Sequence, residues 1–307
     1  MNNLGVEGVI PAMVTPFHRD GSIDLEGLRR LTRILLDAGV HGLFPLGSIG
    51  EGPKLSREER MKVLETVMEA AGSGVKVIPG AGGVTTRDTI QYVRDASDLG
   101  ASAAIIHPPW YYHPTPDALL QHYLTVADSS DIPIILYNLP SFVGYEIPVE
   151  LVVRAAEHDN IIGIKDSSAN LLYFQELMRA TPEGFNVIQG YGVLFLPSMV
   201  IGGRATLSGE ANLAPGLFVG IYEAYLRGDL DEARRLHLRA AALAPVLGYG
   251  TFPASVKEAM NMMGLPGGYT LPPSSQLTPG ERDKLRRALM EAGLLKSQRR
   301  SGASRTS

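Results

Sequence analysis

Apolar residues along the chain follow two alternating patterns. Short, nearly continuous apolar runs recur as GVIPAMVTPF, HGLFPLGS, VKVIPGAG, ASAAIIHPP, IPIILYNLP, IIGIKDSS, FNVIQGYG and RATLSGEAN. Between them lie longer segments such as DLEGLRRLTRILLDAG, SREERMKVLETVMEAAG and TRDTIQYVRDASDLG, whose apolar positions repeat every three to four residues. The second pattern predicts amphipathic helices. The first predicts strands buried on both faces, as in a parallel sheet covered by helices. Asp24 is placed to cap the first helix, which Gly39 closes, and Ser56 with Glu59 forms a capping box for the second. An open doubly wound sheet would give the same alternation, but eight strand-then-helix units favour an α/β fold closed as a (β/α)8 TIM barrel.

The strand signal stops near residue 228. LDEARRLHLRAAALAPVLG, PASVKEAMNMMG and TPGERDKLRRALMEAGLL are all helical in period. The expected organisation is therefore a catalytic barrel over residues 1–228 and a three-helix extension over 229–295. A polar, basic tail over 296–307 reads as disordered.

Composition narrows the function. Of 307 residues none is cysteine, which excludes disulfides, thiolate metal sites and a cysteine nucleophile, and suits a cytoplasmic enzyme. The net charge of −4 gives no basic footprint for nucleic acid. No apolar stretch is long enough to span a membrane, and the N-terminus has no secretory pattern. The seven histidines show no ligand spacing, so no metal is expected. The GAGG at Gly80 to Gly83 lacks the pattern and acidic partner of a dinucleotide site.

In a barrel, chemistry sits at the C-terminal ends of the strands. That rule selects Thr15, Ser48, Tyr111, Tyr137, Lys165, Gly190 and Ser208. Of seven lysines, the other six fall in helices, loops, the tail or a strand start; only Lys165 terminates an apolar strand. Desolvation there would lower the pKa of the amine and free its nitrogen to attack a carbonyl. Pairing with Asp166, or extension to the rim, would explain the same lysine. Tyr137 ends the preceding strand, which places a phenol beside the amine for proton transfer. A tyrosine merely packed against backbone would look the same. The glycine-flanked Gly47–Glu51 loop exposes amides and the Ser48 hydroxyl as a cradle for a carboxylate, although such loops are also common turns. Glu210 lies near the presumed mouth, where a salt bridge would equally account for it.

Taken together, GSIGE, PGAGG, PPWYYHP, YNLP and GIKDSS resemble the class I aldolase superfamily of N-acetylneuraminate lyase and dihydrodipicolinate synthase. The resemblance implies a lysine Schiff base with pyruvate or another 2-oxo acid, an aldehyde partner, no cofactor, and a homotetramer built as a dimer of dimers. It makes Lys165 the imine-forming lysine and Tyr137 the proton relay. Ser48 and the Ile49 backbone take the carboxylate-binding positions, Gly190 and Leu207 line the far side of the lysine, and Tyr111 reaches across a dimer interface. Two positions depart from the synthase pattern. Ile49 replaces a threonine of the relay, leaving Ser48 as the loop's only side-chain hydroxyl. Phe142 replaces an arginine, removing the bidentate grip on a second carboxylate such as that of aspartate semialdehyde. The departures point to an aldehyde uncharged at that end, and KDSS to sugar-acid aldolases acting on a substrate such as 2-keto-3-deoxygluconate. Dihydrodipicolinate synthesis, or a Schiff-base dehydratase, deaminase or hydratase-aldolase, are the alternatives within the superfamily. A 2-oxo acid-binding member without turnover is the alternative outside enzymology.

Overall fold

The structure, a computed structural model, describes residues 4–296; the tail expected beyond them lies outside the described residues. Six strands form one parallel sheet: β1 (Gly8–Val9), β2 (Ala104–Ile106), β3 (Ile134–Asn138), β4 (Ile161–Asp166), β5 (Asn186–Gln189) and β6 (Ala205–Thr206). Their order is β1-β6-β5-β4-β3-β2. The two ends of this sheet are joined through single parallel bridges, Ala12 to Phe44, Leu43 to Val77, and Gly80 to Ile105. Residues 43–44 and 77–80 thus supply the two remaining staves, and the ring of eight closes. The Ile78 amide donates to the Leu43 carbonyl at 2.9 Å and the Ala81 amide to that of Ile105 at 2.8 Å.

Twelve α-helices lie among the described residues. The first seven are α1 (Leu25–Asp37), α2 (Arg57–Ala71), α3 (Thr86–Asp98), α4 (Pro116–Asp128), α5 (Pro140–Val143), α6 (Val149–Ala155) and α7 (Leu171–Ala180). They are followed by α8 (Phe195–Ile201), α9 (Pro215–Leu226), α10 (Leu230–Ala241), α11 (Ala254–Met262) and α12 (Pro279–Glu291). The caps read from sequence form: Asp24 accepts from the Gly27 amide, and Ser56 and Glu59 close a reciprocal box. Among the described residues no helix is long and apolar enough to cross a membrane.

Continuous apolar strands divide their side chains between two cores. Ile134 and Leu136 of β3 pack outward beneath the helices with Ile161, Ile164 and Val187. Ile135 and Tyr137 face the barrel interior with Ile105 and Ile188. This alternation of period two is what turns Tyr137 inward at the end of its strand. After residue 228, α10 packs on α9, and α11 on α12. Val246, Val256 and Met260 join the interior cluster, so this region rests on the end of the barrel where β3 and β4 finish.

Candidate active site

Tyr137 and Lys165 are register partners on β3 and β4. Lys165 is 3 % exposed. Its Nζ lies 4.1 Å from the Tyr137 ring centroid and 4.6 Å from that of Phe44. Asp166 does not pair with it. The Asp166 carboxylate accepts from Asn138 Nδ2 at 2.8 Å, from the Ser168 amide at 3.0 Å and from Ser168 Oγ at 2.9 Å. Burial nevertheless outweighs these bonds and pushes the Asp166 carboxyl above the ordinary range. Lys165 forms no salt bridge among the described residues, and its amine is held between two aromatic faces.

Burial alone would push the Tyr137 phenol up. The charge of Lys165, aided by hydrogen-bonding contact with Lys165, Ser167 and Ser48, overcomes it and brings the phenol below the usual tyrosine value. The phenol is thus a better acid than a free tyrosine and has an amine and two hydroxyls around it.

These groups open into a cavity of about 270 Å³. Ser48 and Ile49 form one wall, Gly190, Tyr191 and Ser167 another, and Leu139, Phe142, Leu247 and Phe252 the rim. Among the described residues Lys165 is the only cationic side chain in the lining. Phe142, 54 % exposed, meets Phe252 edge-on at 5.1 Å between centroids. Gly190 is required by close approach: a Cβ there would run into the Ser167 hydroxyl and the Asp166 carbonyl.

Not every strand-end candidate reaches the cavity. Thr15 is buried and donates to the Gly50 carbonyl at 2.7 Å, bracing the loop rather than facing a ligand. Leu207 and Ser208 are wholly buried outside the lining, because β6 turns them into the packing, with Ser208 Oγ close to Gly192. Tyr111 is 72 % exposed on the surface, beside Tyr112. Among the described residues Glu210 makes no salt bridge and its two buried oxygens have no hydrogen-bond partner, and burial pushes its carboxyl up. Sequence reading missed Leu247 and Phe252, which come from the region after residue 228, and Ser167, whose hydroxyl sits one residue beyond Asp166. No local pattern announces the first two; the serine pair directly after Asp166 could have flagged the third. Among the described residues no group of three or more His, Asp or Glu side chains is placed to hold a metal ion.

A buried amine and an acidified phenol at the mouth of a closed (β/α)8 barrel define an enzyme of the barrel class. Comparison with known proteins carries this further. Residues 5–292 match the model of the dihydrodipicolinate synthetase family. A 4-hydroxy-tetrahydrodipicolinate synthase from Archaeoglobus fulgidus is 41% identical over 289 residues, 94% of this chain and 99% of that one. Among solved structures, the dihydrodipicolinate synthase of Acinetobacter baumannii in complex with pyruvate superposes with a TM-score of 0.91 at 32% identity, covering 95% of this chain and 100% of that one. A prophage protein of the dihydrodipicolinic acid synthase family from E. coli K12, also in complex with pyruvate, gives 0.90 at 30%, covering 94% and 99%. The chain belongs to the dihydrodipicolinate synthetase family, and with it to the pyruvate-dependent class I lyases.

Proposed function

We propose that the chain joins pyruvate to an aldehyde, or reverses that reaction, through an imine on Lys165. The observation that carries this is the cross-strand pair of Lys165 and Tyr137 in a cavity that holds no other cation among the described residues. The Lys165 amine attacks C2 of pyruvate and water leaves, giving a protonated imine. Loss of a C3 proton to water forms the enamine, whose C3 adds to the aldehyde carbonyl. Tyr137 gives its proton to the aldehyde oxygen as the bond forms, and hydrolysis of the imine frees the amine. The Ser48–Ile49 loop receives the carboxylate and orients C2 for attack.

For the aldehyde, the relatives favour the synthase reaction. The Archaeoglobus relative and others from Methanoculleus and Methanosphaerula are named 4-hydroxy-tetrahydrodipicolinate synthase. The expectation of a 2-keto-3-deoxygluconate-type sugar acid gains no such support. One observation favours a second reading: Phe142, Phe252, Leu139 and Leu247 make most of the rim apolar, with Ser141 its polar member and no cation among them, which suits an aldehyde without a second carboxylate. Condensing pyruvate with aspartate semialdehyde and with uncharged aldehydes, and comparing kcat/KM, separates the two. Assembly as a homotetramer with Tyr111 at a subunit contact belongs to the same reading; the exposed Tyr111–Tyr112 pair supports it. So does a cytoplasmic setting, which suits a chain without cysteine.

A further inference from the structure

The loop carrying Ser48 and Ile49 holds a conformation that it would not keep alone. Leu46 and Glu51 bracket it, both non-glycine residues in the left-handed region, at φ 62° and 55°. Such a residue is strained and persists only where its surroundings fix it. Arg60 is one fixing group: buried, it donates to the Gly52 carbonyl at 2.8 Å and the Gly80 carbonyl at 2.6 Å.

The other is the Glu51 carboxylate, which is buried and fully occupied. Oε1 accepts from Lys257 Nζ at 2.6 Å. Oε2 accepts from Lys54 Nζ at 2.9 Å and from the Leu271 amide at 3.0 Å. Lys257 Nζ also donates to the Tyr269 carbonyl at 2.7 Å and lies 4.2 Å from the Phe17 ring centroid. Lys54 reaches on to the Leu271 carbonyl at 3.0 Å and Ser274 Oγ at 2.6 Å. Lys257 was grouped with unremarkable helical lysines in the sequence, yet it is 1 % exposed. A buried ion pair adds little net stability over a well-packed apolar pair. What this one does is fasten the loop to α11 and to residues 269–274, across 206 positions of sequence.

We propose that Glu51 and Lys257 are positioning residues for the 2-oxo acid's carboxylate, their ion pair fixing the Ser48–Ile49 backbone that receives it. Through that pair, the helices after the barrel set pyruvate affinity without touching pyruvate. This rests on reading the loop as the carboxylate cradle.

The pair also gives affinity a pH dependence. Burial pushes Lys257 down to about 8, against the raising pull of Glu51. The other charged groups around it are Lys54 on the loop and Glu258, Arg282 and Arg286 around the cavity shared by α11 and α12. Glu258 is engaged by Arg282 at 2.8 Å. As pH rises through about 8, Lys257 loses its charge and pyruvate affinity falls. Stability moves the other way. The folded pKa lies below the unfolded value, so the unfolded chain binds more protons between about 8 and 10.5, and this lysine's contribution to stability rises across that window. A purely structural ion pair would not weaken binding there.

The experiment is borohydride trapping of pyruvate on the full chain, read as adduct mass against pyruvate concentration. In Lys257→Met and in Glu51→Gln, half-saturation rises about tenfold with unchanged adduct at saturation, as expected for a displaced binding loop. The double variant is no worse than either single one, because both act through one contact. Half-saturation of the wild type rises above pH 8 and that of Lys257→Met does not. Lys54→Met, at a partly exposed position, keeps the test open should the buried variants fail to fold; its half-saturation rises a few-fold. Folded variants with lowered melting temperature but wild-type half-saturation overturn the proposal. A wild type that traps no pyruvate overturns instead the imine on Lys165 on which both readings rest.

Discussion

Tyr137 and Lys165 stand opposite each other on neighbouring parallel strands, the amine nitrogen 4.1 Å from the centre of the phenol ring. Each alters the other's chemistry. The lysine's charge acidifies the phenol against the effect of burial, and the ring gives the amine an aromatic face in place of a carboxylate. An amine without a fixed anionic partner does not have to break an ion pair before it attacks a carbonyl.

Tyr137→Phe keeps the ring and removes the proton. It should lower kcat by about 10²- to 10³-fold while pyruvate still forms its imine. Because the phenol lies below the usual tyrosine value, the acid form is lost early as pH rises. The alkaline limb of kcat should fall below pH of about 10 and be absent from the residual activity of the variant. Steady-state profiles of both proteins check this.

Phe142→Arg restores a guanidinium at the rim. Phe142 is more than half exposed, so stability should change by no more than about 0.5 kcal/mol. KM for aspartate semialdehyde should fall about tenfold, while that for an uncharged aldehyde of similar length does not. An unchanged KM would place the second-carboxylate contact elsewhere.

His122 contributes to acid stability. Its ring is buried, with Nδ1 2.9 Å from Thr86 Oγ1 and Nε2 without a partner among the described residues. Burial pushes its pKa down to about 4. Between pH 6.5 and about 4 the unfolded chain therefore binds more protons, and stability is lost as pH falls, by up to about 3 kcal/mol from this group. His122→Phe should flatten the fall in unfolding midpoint over that range, measured by denaturant titration.

Much of this was legible in the sequence because parallel strands buried on both faces write themselves as continuous apolar runs. All eight appear in the ring, even where only single bridges mark a stave. Lys165 and Tyr137 were legible for the same reason, as polar groups ending such runs. Ser208 was selected by a strand-end rule that does not say which way the last side chain turns, and its hydroxyl faces the packing. Phe252, Leu247, Glu51 and Lys257 act across distances that no local pattern encodes. Lys257 did leave one trace: it sits on a helix whose neighbours Val256, Ala259 and Met260 are all buried.

Reduction with borohydride in the presence of pyruvate, followed by peptide mass analysis, decides the chemistry. The adduct should appear on the peptide containing Lys165, and Lys165→Ala should abolish it while keeping the fold. A wild-type protein left unmodified, or an adduct that persists in Lys165→Ala, would show that the imine is not formed there.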